Sequence, residues 1–304
     1  MTARDRIVTT GHVVVVVGPT ASGKSALGVD IARGLGGEVI NGDAYQFYRG
    51  MDIGTAKPTE AERRGVRHHL FDTLDVTEPA SVAVFQDRAR AVIADCHGRG
   101  VTPVVVGGSS LYVRAVLDPL DFPGTDPAVR QRWQDELERV GAEALHRVLA
   151  ERDPAAAGEI LPTNGRRIVR ALEVIDLTGE PFAATMPPHV SIYPHVTMIG
   201  VEIARDALDV RVAERVDRMW ELGFVDEVRR LREVGLEQGD TASRAIGYQQ
   251  VLAFLRGEIS EEQARAETIT ATRKFARRQD RLFHQDPRVH WVGSSPADRH
   301  DGSA

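Results

Sequence analysis

The stretch Val13–Ala32, VVVVVGPTASGKSALGVDIA, decides the fold because it reads as a strand, a turn and a helix in succession. Val13–Val17 is continuously apolar, which is typical of a parallel strand covered on both faces. Gly18–Ser25 then satisfies G-x-x-x-x-G-K-[ST] between that strand and the helix, which is the context in which this pattern binds phosphate. The sequence therefore predicts an α/β protein with a P-loop NTPase-like parallel sheet.

Each part of this loop has a physical role in holding an anion. Glycines let backbone N–H groups point inward, and the N-terminus of the following helix adds positive potential. Lys24 supplies a point charge, and the hydroxyl of Ser25 suits a Mg²⁺ that bridges phosphate oxygens. The predicted phosphate-binding residues are Gly18, Pro19, Thr20, Ala21, Ser22, Gly23, Lys24 and Ser25.

Further strands are predicted at 37–43, 103–106 and 196–204, and helical spacing is found within 80–100. Strand, helix and strand in this order favour a doubly wound core.

The pattern becomes helical from residue 118, with predicted starts at Asp126-Pro127 and Asp153-Pro154 and a C-cap at Gly179. Near the C-terminus, Ser260–Gln263 predicts a capping box. We expect a core formed by 13–117 and 191–293 with C-terminal helices, a helical insertion at 118–190, and a disordered tail at 294–304.

Composition excludes several classes of protein. The 304 residues carry a formal net charge of −6, so the chain is not a uniformly basic nucleic-acid coat, although a local basic surface is compatible with this value. Cys96 is the only cysteine, which excludes a disulfide framework. No apolar run near the N-terminus is long enough for a membrane span or a secretory signal. We expect a cytoplasmic protein.

The fate of the bound phosphate depends on nearby acids. The strand at 103–106 ends in Gly107-Gly108, without the carboxylate that usually holds Mg²⁺ in a nucleoside triphosphatase. The nearest acid at a strand end is Asp43, which could act as a metal ligand or as a general base.

Several motifs, in order, resemble those of the tRNA dimethylallyltransferases, also called tRNA isopentenyltransferases. They are GPTASGKS, INGDAYQFYRGMDIGTAKP, VVVGGSSLYVRAV, TDPAVR, RRIVRALEV, SRAIGYQQVLAFLRGEIS and ATRKFARRQ. The likeness extends from Val13 to Trp291. It implies a P-loop-like fold with a helical insertion. It also implies transfer of a dimethylallyl group from its diphosphate to N6 of the adenosine 3′-adjacent to the anticodon.

The resemblance also assigns roles to residues. The loop would hold a diphosphate leaving group, with Lys24 and a Mg²⁺ on Ser25 stabilising the charge that develops there. Asp43 would take the N6 proton. Arg215 would line the reaction channel, and Ser109 would contact tRNA; we count both with the catalytic residues, beside Asp43 and Lys24.

The implied partner is the tRNA anticodon stem-loop, bound by a monomer. Its predicted contacts are Asp43, Ala44, Tyr45, Gln46, Ser109, Arg130, Arg166, Arg167, Arg170, Arg244, Gly247, Tyr248, Gln249, Arg277, Arg278 and Gln279. The chain departs from the family at Ala44, where relatives commonly have serine. It also departs in the last basic segment, where Arg281, Leu282 and His284 replace threonine, tryptophan and arginine.

Three alternatives remain at this point. A P-loop small-molecule kinase would share the loop and the strand order. A prenyl transferase acting on free AMP would share the chemistry, but not the need for a helical insertion and a basic C-terminal segment. A non-catalytic RNA-binding protein would retain the loop without its activity.

Overall fold

The computed structural model describes residues 11–184 and 186–293. The predicted disordered tail at 294–304 lies outside the described residues. The described part contains a six-stranded parallel sheet in the order β3-β2-β4-β1-β5-β6. Its strands are β1 His12–Val17, β2 Glu38–Asn41, β3 His68–His69, β4 Pro103–Gly107, β5 His195–Glu202 and β6 Val289–Gly293.

The described helices lie between these strands along the chain. From the N-terminus they are α1 Lys24–Leu35, α2 Glu60–Arg63, α3 Val82–Gly98 and α4 Ser110–Leu117. Next come α5 Pro127–Val140, α6 Ala142–Arg152, α7 Pro154–Glu159 and α8 Gly165–Thr178. The last group is α9 Arg205–Glu221, α10 Phe224–Glu233, α11 Tyr248–Leu255 and α12 Glu261–His284, with 3₁₀ turns at Leu236–Gln238 and Ala242–Arg244.

The α/β prediction is confirmed, and the local signals explain why. Val13–Val17 is buried at every position because β1 has β4 on one side, β5 on the other and helices over both faces. Apolar residues in a central strand are therefore continuous rather than alternating. The parallel order brings the carboxyl ends of β1, β2 and β4 to one edge, where ligands bind in such sheets.

The chain folds into two compact units. The first consists of Met1–Pro119 and His189–Ala304, and the second of Leu120–Pro188. The second unit contains α5 to α8 around its own apolar cluster, which includes Leu145, Leu149, Ile168 and Leu172.

The predicted helix boundaries can be checked residue by residue. Asp126 and Asp153 cap α5 and α7 with Pro at the first helical position, and Gly179 ends α8 in the left-handed region, as predicted. The capping box at Ser260 forms only in half. The Ser260 hydroxyl accepts from the Gln263 N–H, but the Gln263 amide donates to Glu267 instead of returning to the cap.

No helix among residues 11–184 and 186–293 combines the length and the apolarity needed to span a bilayer.

Candidate active site

The phosphate loop joins β1 to α1 and has an unusual backbone. Gly18, Ala21 and Gly23 have φ angles of 150°, 63° and 92°, which turn the chain tightly between strand and helix. The N-cap of α1 is Gly23, so no side chain caps the first turn, and its N–H groups are suited to an anion. The Lys24 ammonium donates to the Pro19 carbonyl at 3.3 Å and thereby lies across the loop.

A buried glutamine from α12 fixes this loop. Gln279 Oε1 accepts from the Thr20 N–H at 2.9 Å, and its Nε2 donates to the Gly108 carbonyl at 2.8 Å. A Cβ at Gly108 would lie 2.3 Å from that amide nitrogen, so a larger residue there would displace the Gln279 side chain. The phosphate loop is therefore held to the segment that follows β4.

Asp43 follows β2 in a turn that its neighbours define. The side chain of Asn41 accepts from the Asp43 N–H at 2.8 Å and donates to the Asp43 and Leu70 carbonyls at 3.1 and 3.0 Å. Asp43 Oδ1 in turn accepts from the Tyr45 N–H at 3.0 Å. These bonds fix the backbone that carries the carboxylate, and Asp43 lines the same pocket as the phosphate loop.

Two adjoining cavities meet at Asp43. The first, of about 40 Å³, is polar and is lined by residues including Thr20, Lys24, Ser25, Asp43 and Arg215. The second, of about 180 Å³, shares Thr20, Asp43 and Arg215 and has more apolar walls. Those apolar walls include Val216, Met219, Ile246 and Phe275. The arrangement offers an anion site beside a larger space that suits an apolar group.

Electrostatics favour an anion in the first cavity. Burial lowers the pKa of Lys24 to about 8; the nearby Asp43 opposes this shift and Arg215 adds to it. Burial also lowers the pKa of Arg215, and Asp43 again opposes the shift. Two desolvated cations with one carboxylate give the site a positive excess that a phosphate group would neutralise.

Arg215 reaches the site from α9 and is held by a loop. Its Nη2 donates to the Thr55 carbonyl at 3.3 Å. The amide of Gln46 donates to the same carbonyl at 3.1 Å and to that of Ala56 at 3.3 Å. Thr55 and Ala56 themselves line the first cavity.

The structure thus brings Lys24, Ser25, Asp43 and Arg215 to one pocket. Ser109 is the N-cap residue of α4 and lies two positions beyond Gly107, which lines the pocket. The roles predicted for these side chains stay predictions.

The predicted tRNA contacts on the first unit fall into three groups by exposure. The exposed ones are Arg244, Gln249, Arg277 and Arg278, and the half-buried ones are Ala44, Tyr45, Gln46 and Ser109. Gly247, Tyr248 and Gln279 are instead buried. The Tyr248 hydroxyl donates to Glu227 at 2.6 Å and the Gln279 amide is bonded as above, so both side chains serve the packing of the site. Direct contact between these two side chains and RNA is not supported by their positions.

The arginines of the second unit mostly bind within that unit. Arg130 and Arg170 both donate to Glu173, whose side chain is fully buried, at 2.7 and 2.8 Å. Arg167 donates to the Ala184 carbonyl, and Arg166 is exposed. A buried carboxylate needs such partners, so Arg130 and Arg170 have a structural role besides any contact with RNA.

A Mg²⁺ ion fits the chemistry of the donors present. The hydroxyl of Ser25 and the carboxylate of Asp43 line one pocket, and both are hard oxygen ligands of the kind Mg²⁺ prefers.

Sequence reasoning missed Thr55 and Glu227 and gave Gln279 a different role. Thr55 and Gln279 lie inside quoted motifs and Glu227 lies outside them, but all three make contacts with partners that are distant in sequence.

The comparisons with known proteins give a consistent result. The family model described as IPP transferase matches residues 46–286. A protein of Thermobifida fusca named tRNA dimethylallyltransferase is 61% identical over 285 residues, covering 92% of this chain and 89% of the relative. A protein of the same name from Frankia casuarinae is 63% identical over 278 residues, covering 91% and 94%.

Solved structures agree with the sequence comparisons. The tRNA isopentenylpyrophosphate transferase of Bacillus halodurans is 40% identical with a TM-score of 0.69, covering 94% of this chain and 90% of the other. A eukaryotic dimethylallyltransferase, described as acting on tRNA, is 26% identical with a TM-score of 0.80, covering 96% and 76%.

Proposed function

The chain belongs to the IPP transferase family, and from this premise we propose that it prenylates tRNA. It transfers the dimethylallyl group of dimethylallyl diphosphate to N6 of the adenosine 3′-adjacent to the anticodon and releases diphosphate. One observation carries the proposal: Lys24 and Ser25 of the phosphate loop line one pocket with Asp43 and Arg215.

The leaving group is stabilised by the phosphate loop. As the bond between C1 and the bridging oxygen breaks, negative charge grows on the diphosphate. The first-turn N–H groups of α1, the Lys24 ammonium and the Arg215 guanidinium would receive this charge, and Lys24 and Arg215 line the same pocket. A Mg²⁺ held by Ser25 would supply further charge stabilisation when bound.

The nucleophile needs a base. The N6 lone pair of adenine is delocalised into the ring, so the amine attacks well only if its proton is removed as the new N6–C1 bond forms. We propose that Asp43 accepts that proton; in support, Asp43 lines both the anion pocket and the larger cavity. In this step the N6–C1 bond forms, the C1–O bond breaks and the N6 proton moves to Asp43.

The absence of a carboxylate after β4 agrees with this chemistry. β4 ends at Gly107, and α4 begins at Ser110 without an acid between them. Hydrolysis of a nucleoside triphosphate usually needs an acid at that strand end to hold the metal ion. A reaction in which diphosphate is only the leaving group does not need an acid there.

RNA binding is assigned to exposed arginines on both units: Arg166, Arg244, Arg277 and Arg278. These side chains would neutralise phosphates of the anticodon stem-loop. The target base then leaves its stack, at a modest cost in a single-stranded loop. We place the enzyme in the cytoplasm with its tRNA substrate, as a monomer. Affinity for tRNA should fall steeply as salt rises.

The direct test uses purified full-length protein, undermodified tRNA, Mg²⁺ and dimethylallyl diphosphate, followed by mass analysis of the nucleosides. We expect N6-dimethylallyladenosine at the single position next to the anticodon. Parallel reactions contain free AMP in place of tRNA, or ATP in place of the allyl diphosphate. Prenylated AMP without prenylated tRNA, or phosphate transfer from ATP, would contradict the proposal.

A further inference from the structure

A buried carboxylate outside the pocket binds the backbone of a loop that forms its wall. Glu227 lies on α10 with 3% of its surface exposed. Its Oε2 accepts from the N–H groups of Asp52 and Ile53 at 3.0 and 2.7 Å. Its Oε1 accepts from the Gly54 N–H at 3.2 Å and from the Tyr248 hydroxyl at 2.6 Å.

The two oxygens of a carboxylate can accept from all four of these donors. An amide in its place would turn an NH₂ group toward at least one of the three backbone N–H donors. Burial, followed by the neighbouring Glu227 charge, raises the pKa of Tyr248, so the phenol keeps the proton that it donates. The carboxylate of Glu227 therefore binds three backbone N–H groups and a phenol.

The loop is also packed closely against rings from α10 and α11. A Cβ at Gly54 would lie 2.3 Å from the Phe224 ring and 2.5 Å from the Tyr248 ring, so only glycine fits here. Glu227 and these two rings therefore fix the loop from one side, by hydrogen bonds and by contact.

The other side of the loop faces the site. Thr55 directly follows the three bonded N–H groups, and its carbonyl accepts from Arg215 Nη2 at 3.3 Å and from Gln46 Nε2 at 3.1 Å. The Thr55 hydroxyl donates back to the Met51 carbonyl at 2.6 Å, which closes the turn. A shift of this turn would move the carbonyl that holds the Arg215 guanidinium.

We infer that Glu227 is a positioning residue for the transfer reaction: it fixes the backbone of 52–54 so that the Thr55 carbonyl holds Arg215 in the anion pocket. The inference rests on the proposed function. Glu227 touches no reacting group, and its effect on the rate passes through the loop and Arg215.

The test compares Glu227→Gln with Glu233→Gln, an exposed glutamate at the end of the same helix. Single-turnover transfer is measured at saturating tRNA and allyl diphosphate, together with the Kd for tRNA. We expect Glu227→Gln to lower the rate by up to about 10²-fold, because small misplacements of catalytic groups have effects of this size. The Kd for tRNA should change by less than about threefold. Glu233→Gln should have the transfer rate and the Kd of the wild type.

A double-mutant cycle separates positioning from general loss of structure. In an Arg215→Gln background, Glu227→Gln should lower the rate by less than about threefold, because the group that it positions is absent. An equal loss in both backgrounds would overturn the inference, as would a folded Glu227→Gln variant with the wild-type rate.

If Glu227→Gln does not fold, Tyr248→Phe replaces it in the same cycle. This variant removes one of the four donors and keeps the carboxylate and its three backbone bonds. A smaller rate loss that again disappears beside Arg215→Gln supports the inference, and an unchanged rate contradicts it. Absence of transfer by both the wild type and Glu233→Gln would refute the proposed function itself, and the inference with it.

Discussion

Gln279 accepts a hydrogen bond from the backbone N–H of Thr20, a residue 259 positions earlier in the chain. The last long helix is therefore attached directly to the phosphate loop. The neighbouring Arg277 and Arg278 are exposed on the same helix. One element thus holds the anion site and presents basic side chains for RNA.

Removing this attachment should weaken binding of the allyl diphosphate. In Gln279→Ala, the Thr20 N–H and the Gly108 carbonyl lose their partner, at a cost of about 1–3 kcal/mol. We expect the KM for dimethylallyl diphosphate to rise about tenfold in steady-state assays. Gln263→Ala, on the same helix but bonded only to exposed Glu267, serves as the control. Equal KM values in the two variants would refute the role of Gln279.

The charge of Lys24 should make substrate capture sensitive to pH. Because burial lowers its pKa to about 8, Lys24 loses its positive charge as the pH rises through that value. We expect kcat/KM for the allyl diphosphate, which reports on the free enzyme, to fall above about pH 8. In Lys24→Arg the guanidinium stays charged, so the fall should disappear even if the absolute rate is lower. The same fall in both proteins would exclude Lys24 as its source.

The pair of arginines on Glu173 should be important for stability. Each of Arg130→Ala and Arg170→Ala leaves one guanidinium on the buried carboxylate, so each single change should be mild. The double variant leaves an uncompensated buried charge and should lose about 3–5 kcal/mol of unfolding free energy. Urea unfolding of the four proteins measures this. If the loss of unfolding free energy in the double variant equals the sum of the two single losses, the two arginines do not share the role of neutralising Glu173.

The exposed Arg166 provides the contrast within the same unit. Arg166→Ala should leave the urea midpoint unchanged, and it should reduce the slope of log Kd for tRNA against log salt by about one. An unchanged slope would remove Arg166 from the RNA surface.

Acid stability should depend on Glu38, at the start of β2. Its bidentate bonds from Arg99, at 2.8 and 2.7 Å, and a bond with His69 at 2.7 Å lower the pKa of Glu38 to about 2. A lowered folded-state pKa stabilises the protein above the unfolded value, near 4.5, and this stabilisation is lost as the pH falls toward 2. Arg99→Gln should therefore lose less stability than the wild type between about pH 5 and pH 3. The measurement is the free energy of unfolding of both proteins at each pH. An equal loss in the wild type and in Arg99→Gln would contradict the prediction.

Sequence reasoning succeeded where the determinants are local. Val13–Val17 and the motif Gly18–Ser25 specify a buried strand and a phosphate loop through neighbouring residues alone. Asp126 and Gly179 likewise identify helix ends by short-range rules.

The rest depends on contacts that no local pattern encodes. The bonds of Glu227 to residues 52–54 span more than 170 positions, and those of Gln279 span 171 and 259. The strand β6 at Val289–Gly293 was not predicted, since it forms only beside β5. The same holds for the two-residue β3, which depends on pairing with β2.

Asp43 provides the most direct test of the mechanism. In Asp43→Asn the amide cannot accept the N6 proton, although it keeps the size and the turn geometry of the carboxylate. Single-turnover transfer to tRNA, with the Kd for tRNA measured alongside, should show a rate loss of at least about 10²-fold at nearly unchanged affinity. Transfer by Asp43→Asn at the wild-type rate would contradict the account.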